Sequence, residues 1–151
     1  MKPLFALVLA IHVTTFAADN VSLIHASDPQ MNAAIVRARQ TLPEFLAIKS
    51  KPEGAQEFTL KVLLATEHVW VTPFRSDGKG GYKGLLKSEP RSLTHLRWGQ
   101  EVSFGSAQIT DWGYTKDGKR IGFFTTCVLL SRDLTLKNRL QSEGRHYVCA
   151  P

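Results

Sequence analysis

The feature that most limits the fold is a pair of alternating runs separated by a very short connection. In residues 57–65 (EFTLKVLLA), Phe58, Leu60, Val62 and Leu64 fall on every second position. After Thr66-Glu67, residues 68–74 (HVWVTPF) alternate again, with His68, Trp70 and Thr72 on one face and Val69 and Val71 on the other. A period of two belongs to half-buried strands, and so tight a link permits only an antiparallel pair. Such a hairpin leaves an apolar face that another layer must cover.

The cover is expected from residues 31–46. Met31, Ala34, Ile35, Ala38, Leu42, Phe45 and Leu46 recur at steps of three and four, the stripe of an amphipathic helix. Ser27 with Gln30 fits a capping box; Asp28-Pro29 fits the alternative of an Asp cap with Pro at the first helical position. Pro43 cannot donate to the helical ladder, and Thr41 with Glu44 reads as a second capping box. The helix is therefore expected in two parts.

More strands are expected downstream. Asp77-Gly78 and Gly80-Gly81 are hairpin-turn chemistry, with residues 82–87 returning and Pro90 ending that strand. Asp117-Gly118 marks another hairpin tip. Residues 121–130 (IGFFTTCVLL), rich in aromatic and β-branched side chains, read as the most strand-like run. Ser131 is placed to cap a short helix carrying Leu134 and Leu140, ended by Gly144, before a last strand at 146–149. Residues 20–25 read as a lead-in strand or loop. The fold class is α+β: a two-part N-terminal helix packed on a strongly bent antiparallel sheet, with a small partly closed barrel as the alternative, and a short C-terminal helix and strand.

Compartment is legible at the N-terminus. Lys2 precedes an apolar run at 4–13, and Thr15-Phe16-Ala17 places small residues at −3 and −1. Residues 1–17 are therefore expected to be a cleaved secretory signal peptide, leaving 18–151 as a single domain. The apolar run is too short to span a bilayer. Loss of Lys2 takes the formal charge from +6 to +5, so the mature chain stays basic. At 43% hydrophobic and 21% charged residues, the composition excludes global disorder. Cys127 and Cys149 are the only cysteines, and export makes a disulfide between them the expected state.

Chemistry-bearing motifs are sparse. His12, His25, His68, His95 and His146 show no metal-ligand spacing, and no phosphate loop or nucleophile motif is present, so neither a metal nor a cofactor is expected. Glu67-His68 near Trp70, set beside Asp111, could supply a general acid–base pair, the basis of an alternative reading as a small envelope hydrolase. Cations are dispersed, with no run beyond Lys119-Arg120, so nucleic acid is not the expected partner. A DNA-transfer accessory with a basic surface is the third reading. The working surface is sought in 96–114 (LRWGQEVSFGSAQITDWGY), where glycines bracket a strand and a carboxylate adjoins two aromatics. Trp98, Asp111, Trp112 and Tyr114, with Trp70 across the sheet, form the candidate binding set, since amphipathic rings are favoured at interface hot spots. The alternative is that Trp112 anchors the core and Asp111 caps a local turn.

Several pieces in order resemble the YegJ-like bacterial family, a domain of unknown function. They are AAIVRAR at 33–39 with LPEF at 42–45, FTLKV at 58–62, EHVWV at 67–71, YKGLL at 82–86 with Glu89-Pro90, residues 96–102, and ITDW at 109–112. The resemblance spans about residues 31–128. It implies a compact α+β domain and carries no established enzymatic activity. This chain departs from the pattern by its tight 65–67 connection and by the Cys127/Cys149 pair. The first functional expectation is an exported, periplasmic, non-enzymatic binding protein whose partner is another protein: a toxin or hydrolase it inhibits, or an envelope or secretion component.

Overall fold

A computed structural model describes residues 28–149. The signal peptide, the 20–25 segment and the Ser27 cap lie outside the described residues.

Helix α1 (Pro29–Ser50) starts on Asp28, whose carboxylate accepts from the Gln30 and Met31 amides at 3.1 Å each, with Pro29 at the first helical position. Arg132 pairs with the same carboxylate and, with those amides, holds it well below the usual carboxylate range. Met31, Ala34, Ala38, Leu42 and Phe45 are the buried stripe. The expected break does not occur: the helix runs through Pro43 without interruption. Leu42 and Phe45 bracket that proline and are both buried against the sheet, so packing on either side of the missing hydrogen bond holds the helix together.

Seven strands form one sheet: β1 (Gln56–Leu64), β2 (Glu67–Ser76), β3 (Gly81–Leu86), β4 (Glu101–Gly105), β5 (Ile109–Lys116), β6 (Lys119–Gly122) and β7 (His146–Tyr147). Their order is β4-β3-β2-β1-β5-β6-β7, antiparallel throughout except for the parallel β6–β7 pair. β4 and β7 are free edges at opposite ends, so the sheet does not close into a barrel. Register irregularities between Gln56 and Thr59, Lys61 and Val62, and Val71 and Phe74 break its regularity, as bulges do.

The β1–β2 register matches the sequence pattern. Leu60 faces Val71, Val62 faces Val69, and β5 adds Trp112 beside Leu60 and Ile109 beside Val62. These side chains share the face that α1 covers. Phe45 is fully buried at its centre, with ring centroids of Trp112, Phe58, Phe74 and Tyr114 at 4.9, 5.8, 6.0 and 6.4 Å.

The run at 121–130 departs from expectation. β6 stops at Gly122, and helix α2 (Phe124–Arg132) takes over. Gly122 and Phe123 both adopt positive φ, 88° and 51°, which turns the chain out of the sheet. Cys127 is thus helical. Ser131 lies inside α2, and Asp133 caps α3 (Leu134–Ser142) by accepting from the Leu136 amide at 2.9 Å. Cys127 and Cys149 form the expected disulfide, Cα atoms 5.5 Å apart. Among the described residues no helix is long and apolar enough to cross a membrane.

Candidate functional site

Alternation along β1, β2 and β5 sends a second set of side chains to the face away from α1. Lys61 pairs with Trp70 on one side and Asp111 on the other, so these three form a row across adjacent strands. His68 lies two pairs along on the same face, opposite Leu63.

Asp111 is completely buried. β6 is too short to flank this part of β5, and the start of α2 stands there instead. The Asp111 carboxylate accepts from the amides of Trp112, Phe124 and Thr125 at 2.8, 3.0 and 2.8 Å, and from the Thr125 hydroxyl. It therefore supplies the N-terminal cap of α2, which Phe123 at the cap position cannot. Lys61 reaches the same cluster, its Nζ donating to Thr125 Oγ1 at 3.1 Å and lying 5.5 Å from the Trp70 ring centroid. Burial pushes the Asp111 carboxyl up; the Thr125 donors, Lys61 and the Trp112 amide pull it back. All four hydrogen bonds to it are donated, so the ionised carboxylate is the form they fit. Burial also pushes the Lys61 ammonium down, against the attraction of Asp111.

Next to this cluster lies an aromatic row. Phe123 packs 5.2 Å from Trp70 and 5.3 Å from Tyr147, and the Arg120 guanidinium sits 5.7 Å from the Phe123 and Tyr147 centroids. Gly113 makes the row possible: a Cβ there would lie 2.2 Å from the Phe123 ring. Across the sheet, Arg75 bridges to Glu101 at 2.9 Å, and Lys83 shares that face.

The acid–base constellation is not assembled. The His68 Nδ1 hydrogen bond is with Thr110 Oγ1, at 2.9 Å, while burial, Lys61 and Arg39 hold the imidazole below its usual value. The Glu67 carboxylate is engaged with the Arg91 and Ser92 amides and the Ser92 hydroxyl, at 2.7, 2.9 and 2.7 Å. These bonds draw its pKa down against the desolvation that raises it. Among the described residues no group of three or more His, Cys, Asp or Glu could hold a metal ion. What the face offers is a cation, aromatic rings and hydrogen-bond donors.

A family profile described as an uncharacterized protein conserved in bacteria (DUF2314) matches residues 28–145. The chain belongs to the DUF2314 family. That match spans α1 to the end of α3, so the DUF2314 domain accounts for nearly the whole described fold. The chain is also similar to the uncharacterized protein YegJ of Escherichia coli (strain K12), 29% identical over 138 residues, covering 86% of this chain and 89% of that protein. The resemblance read from the sequence holds. No solved structure matches the chain.

In this DUF2314 domain the five residues of the candidate binding set do not share a surface. Trp112 and Tyr114 point into the α1 side of the sheet at 6% and 7% exposure, and the Trp112 indole donates to the Ala38 carbonyl at 2.9 Å. Trp112 is a core anchor. The expected approach of Trp112 and Tyr114 to Trp70 fails because β5 sends Asp111 and Trp112 to opposite faces. Asp111 is inaccessible, capping a helix rather than a local turn. Trp70 stays half-buried on the far face, and Trp98, at 68% exposure, stands in the loop between β3 and β4. Lys61, Phe123 and Thr125 were not singled out from the sequence. A lysine at the centre of an apolar strand was the available signal for the first of them.

Proposed function

We propose that this DUF2314 protein is an exported, non-enzymatic binding protein of the bacterial periplasm, and that its partner is another protein presenting acidic groups. The observation that carries the reading is Trp70. It is a large ring, half-buried on the sheet face away from α1, between the Lys61 ammonium and Phe123. A ring with a polar edge, already held by neighbours, loses little freedom on docking and suits an interface anchor. The same face carries Lys61, Arg75, Lys83 and Arg120 against Asp111, Glu101 and Glu57, one positive charge in excess, a balance that leans toward an acidic counterpart. The leader pattern and the Cys127–Cys149 disulfide support export.

The test is site-specific photo-crosslinking in the native periplasm. A crosslinking side chain at position 70 should give a discrete protein adduct, which one at exposed Val36 on α1 should not. Trp70→Ala should weaken capture of the crosslinked protein by about tenfold or more, as interface aromatics do. Identical adducts from both positions, or none from position 70, refute this surface. Intact mass of the periplasmic material should begin at Ala18; a dominant species keeping Met1 refutes export.

A further inference from the structure

A second surface lies apart from the Trp70 face: the loop joining β3 to β4, residues 87–100. Trp98 is the most exposed large hydrophobic side chain among the described residues. Indole rings are mostly buried in folded proteins, whereas this one is left two-thirds in water.

Its exposure is imposed by a fixed loop. Leu86 and Gln100 close the base, the Leu86 amide donating to the Gln100 carbonyl at 3.0 Å and the Gly99 amide to the Leu86 carbonyl at 2.8 Å. Glu67 clamps the other limb through the Arg91 and Ser92 amides, and Leu96 packs against the core. The Arg97 amide donates to Gln100 Oε1 at 3.0 Å, which fixes the turn that carries Trp98. The ring is therefore presented by a loop secured on both sides.

Its surroundings are cationic. Lys87, Arg91 and Arg97 are exposed on the same loop; Glu89, the only acidic residue in residues 87–100, lies 4.0 Å from Arg97, which also donates to the Thr94 carbonyl, so Lys87 and Arg91 carry the excess charge. A rigid protein partner is matched best by a flat patch with its aromatic anchor at the centre. Here the ring stands up from polar, exposed neighbours: His95, Arg97 and Gln100. A projecting indole among cations suits a soft, uniformly negative plane instead. Trp prefers the headgroup level of a bilayer, and basic residues beside it are drawn to anionic lipid.

We propose that the 87–100 loop docks this protein peripherally on an anionic lipid surface, with Trp98 seated among the headgroups and Lys87 and Arg91 against their phosphates. The contact is weak and reversible, as expected for one ring and a few cations.

The experiment is co-sedimentation of the mature chain at low salt with phosphatidylcholine vesicles and with equimolar phosphatidylcholine–phosphatidylglycerol vesicles. Binding to the anionic vesicles alone is expected, with a blue shift of tryptophan emission and loss at high salt. Trp98→Ala should cut the partition constant by about fivefold or more and abolish the blue shift. Lys87→Gln combined with Arg91→Gln should cut it by roughly fivefold per charge. Thermal melts of each variant beside the parent separate lost docking from lost fold, with Trp98→Ala expected to melt like the parent. Trp70→Ala should leave vesicle binding intact, so this result stands or falls apart from the protein-partner reading. Equal binding by parent and Trp98→Ala overturns the proposal, as does equal binding to both vesicle types. Retention on polyglutamate beads with none on vesicles overturns it in favour of an acidic polypeptide.

Discussion

At the scale of single residues, the three tryptophans occupy three environments that a hydropathy pattern cannot tell apart. Trp112 stacks on Phe45 and Tyr114, edges onto Phe124 and donates to the Ala38 carbonyl. Trp112→Ala removes those contacts, opens a cavity and takes away the indole's hydrogen bond to α1. We expect a loss of about 3–5 kcal/mol in urea unfolding, enough to unfold much of the population of a small domain. Trp98→Ala, with no comparable contacts, should stay within about 0.5 kcal/mol of the parent. A Trp112→Ala protein as stable as the parent would mean that the ring does not hold α1 to β5. Asp111 shows a related contrast: one position from Trp112, it turns to the other face and serves a helix thirteen residues away in sequence.

At the scale of elements, α1 and α2 hold together against local propensity. α1 carries Pro43 in its interior, where the missing donor and the ring normally cost about 3 kcal/mol. Since the helix is continuous, Pro43→Ala should restore a hydrogen bond. Part of the gain is offset by the freer unfolded chain that alanine allows. The expected result is about 2 kcal/mol of added stability, read as a higher urea midpoint at unchanged slope. A lower midpoint would show that the proline ring contributes more through packing than its absent N–H takes away. α2 is built from FTTCVLLSR, with three β-branched residues and a left-handed Phe123 before it. Its start depends on a carboxylate from another strand, and reading 121–130 as a strand could not have anticipated that partner.

At the scale of the whole molecule, one covalent bond governs the C-terminal end. β7 is two residues long and is held by pairs at Lys119–His146 and Arg120–Tyr147. The disulfide closes a loop spanning 22 positions and should be worth about 3 kcal/mol in the chain-entropy model. Alkylation of folded protein without reductant should label neither cysteine. On reduction, amide exchange should rise first at 145–149, while the amides of β1 and β5 stay protected. Labelling of both thiols in the oxidised, folded protein would remove the staple from this account. Tyr147 packs on Phe123, which packs on Trp70, so the same tail buttresses one margin of the proposed recognition face.

The sequence by itself determined the layers. The period of two in β1 and β2 and the three-and-four stripe of α1 specify which side chains are buried between helix and sheet, because alternation is a property of the backbone. It also held the cysteine pairing, since Cys127 and Cys149 are the only two cysteines, and the family, through pieces spread along most of the chain. The tertiary structure alone decided where helix replaces strand at 124–132, because the deciding carboxylate, Asp111, comes from β5. It decided that Pro43 is tolerated, because the compensating contacts of Leu42 and Phe45 are with the sheet. It also decided that Trp112 belongs to the core while Trp70 and Trp98 remain accessible. Which face of a strand is covered, and by what, is a matter of long-range packing, and local sequence carries no record of it.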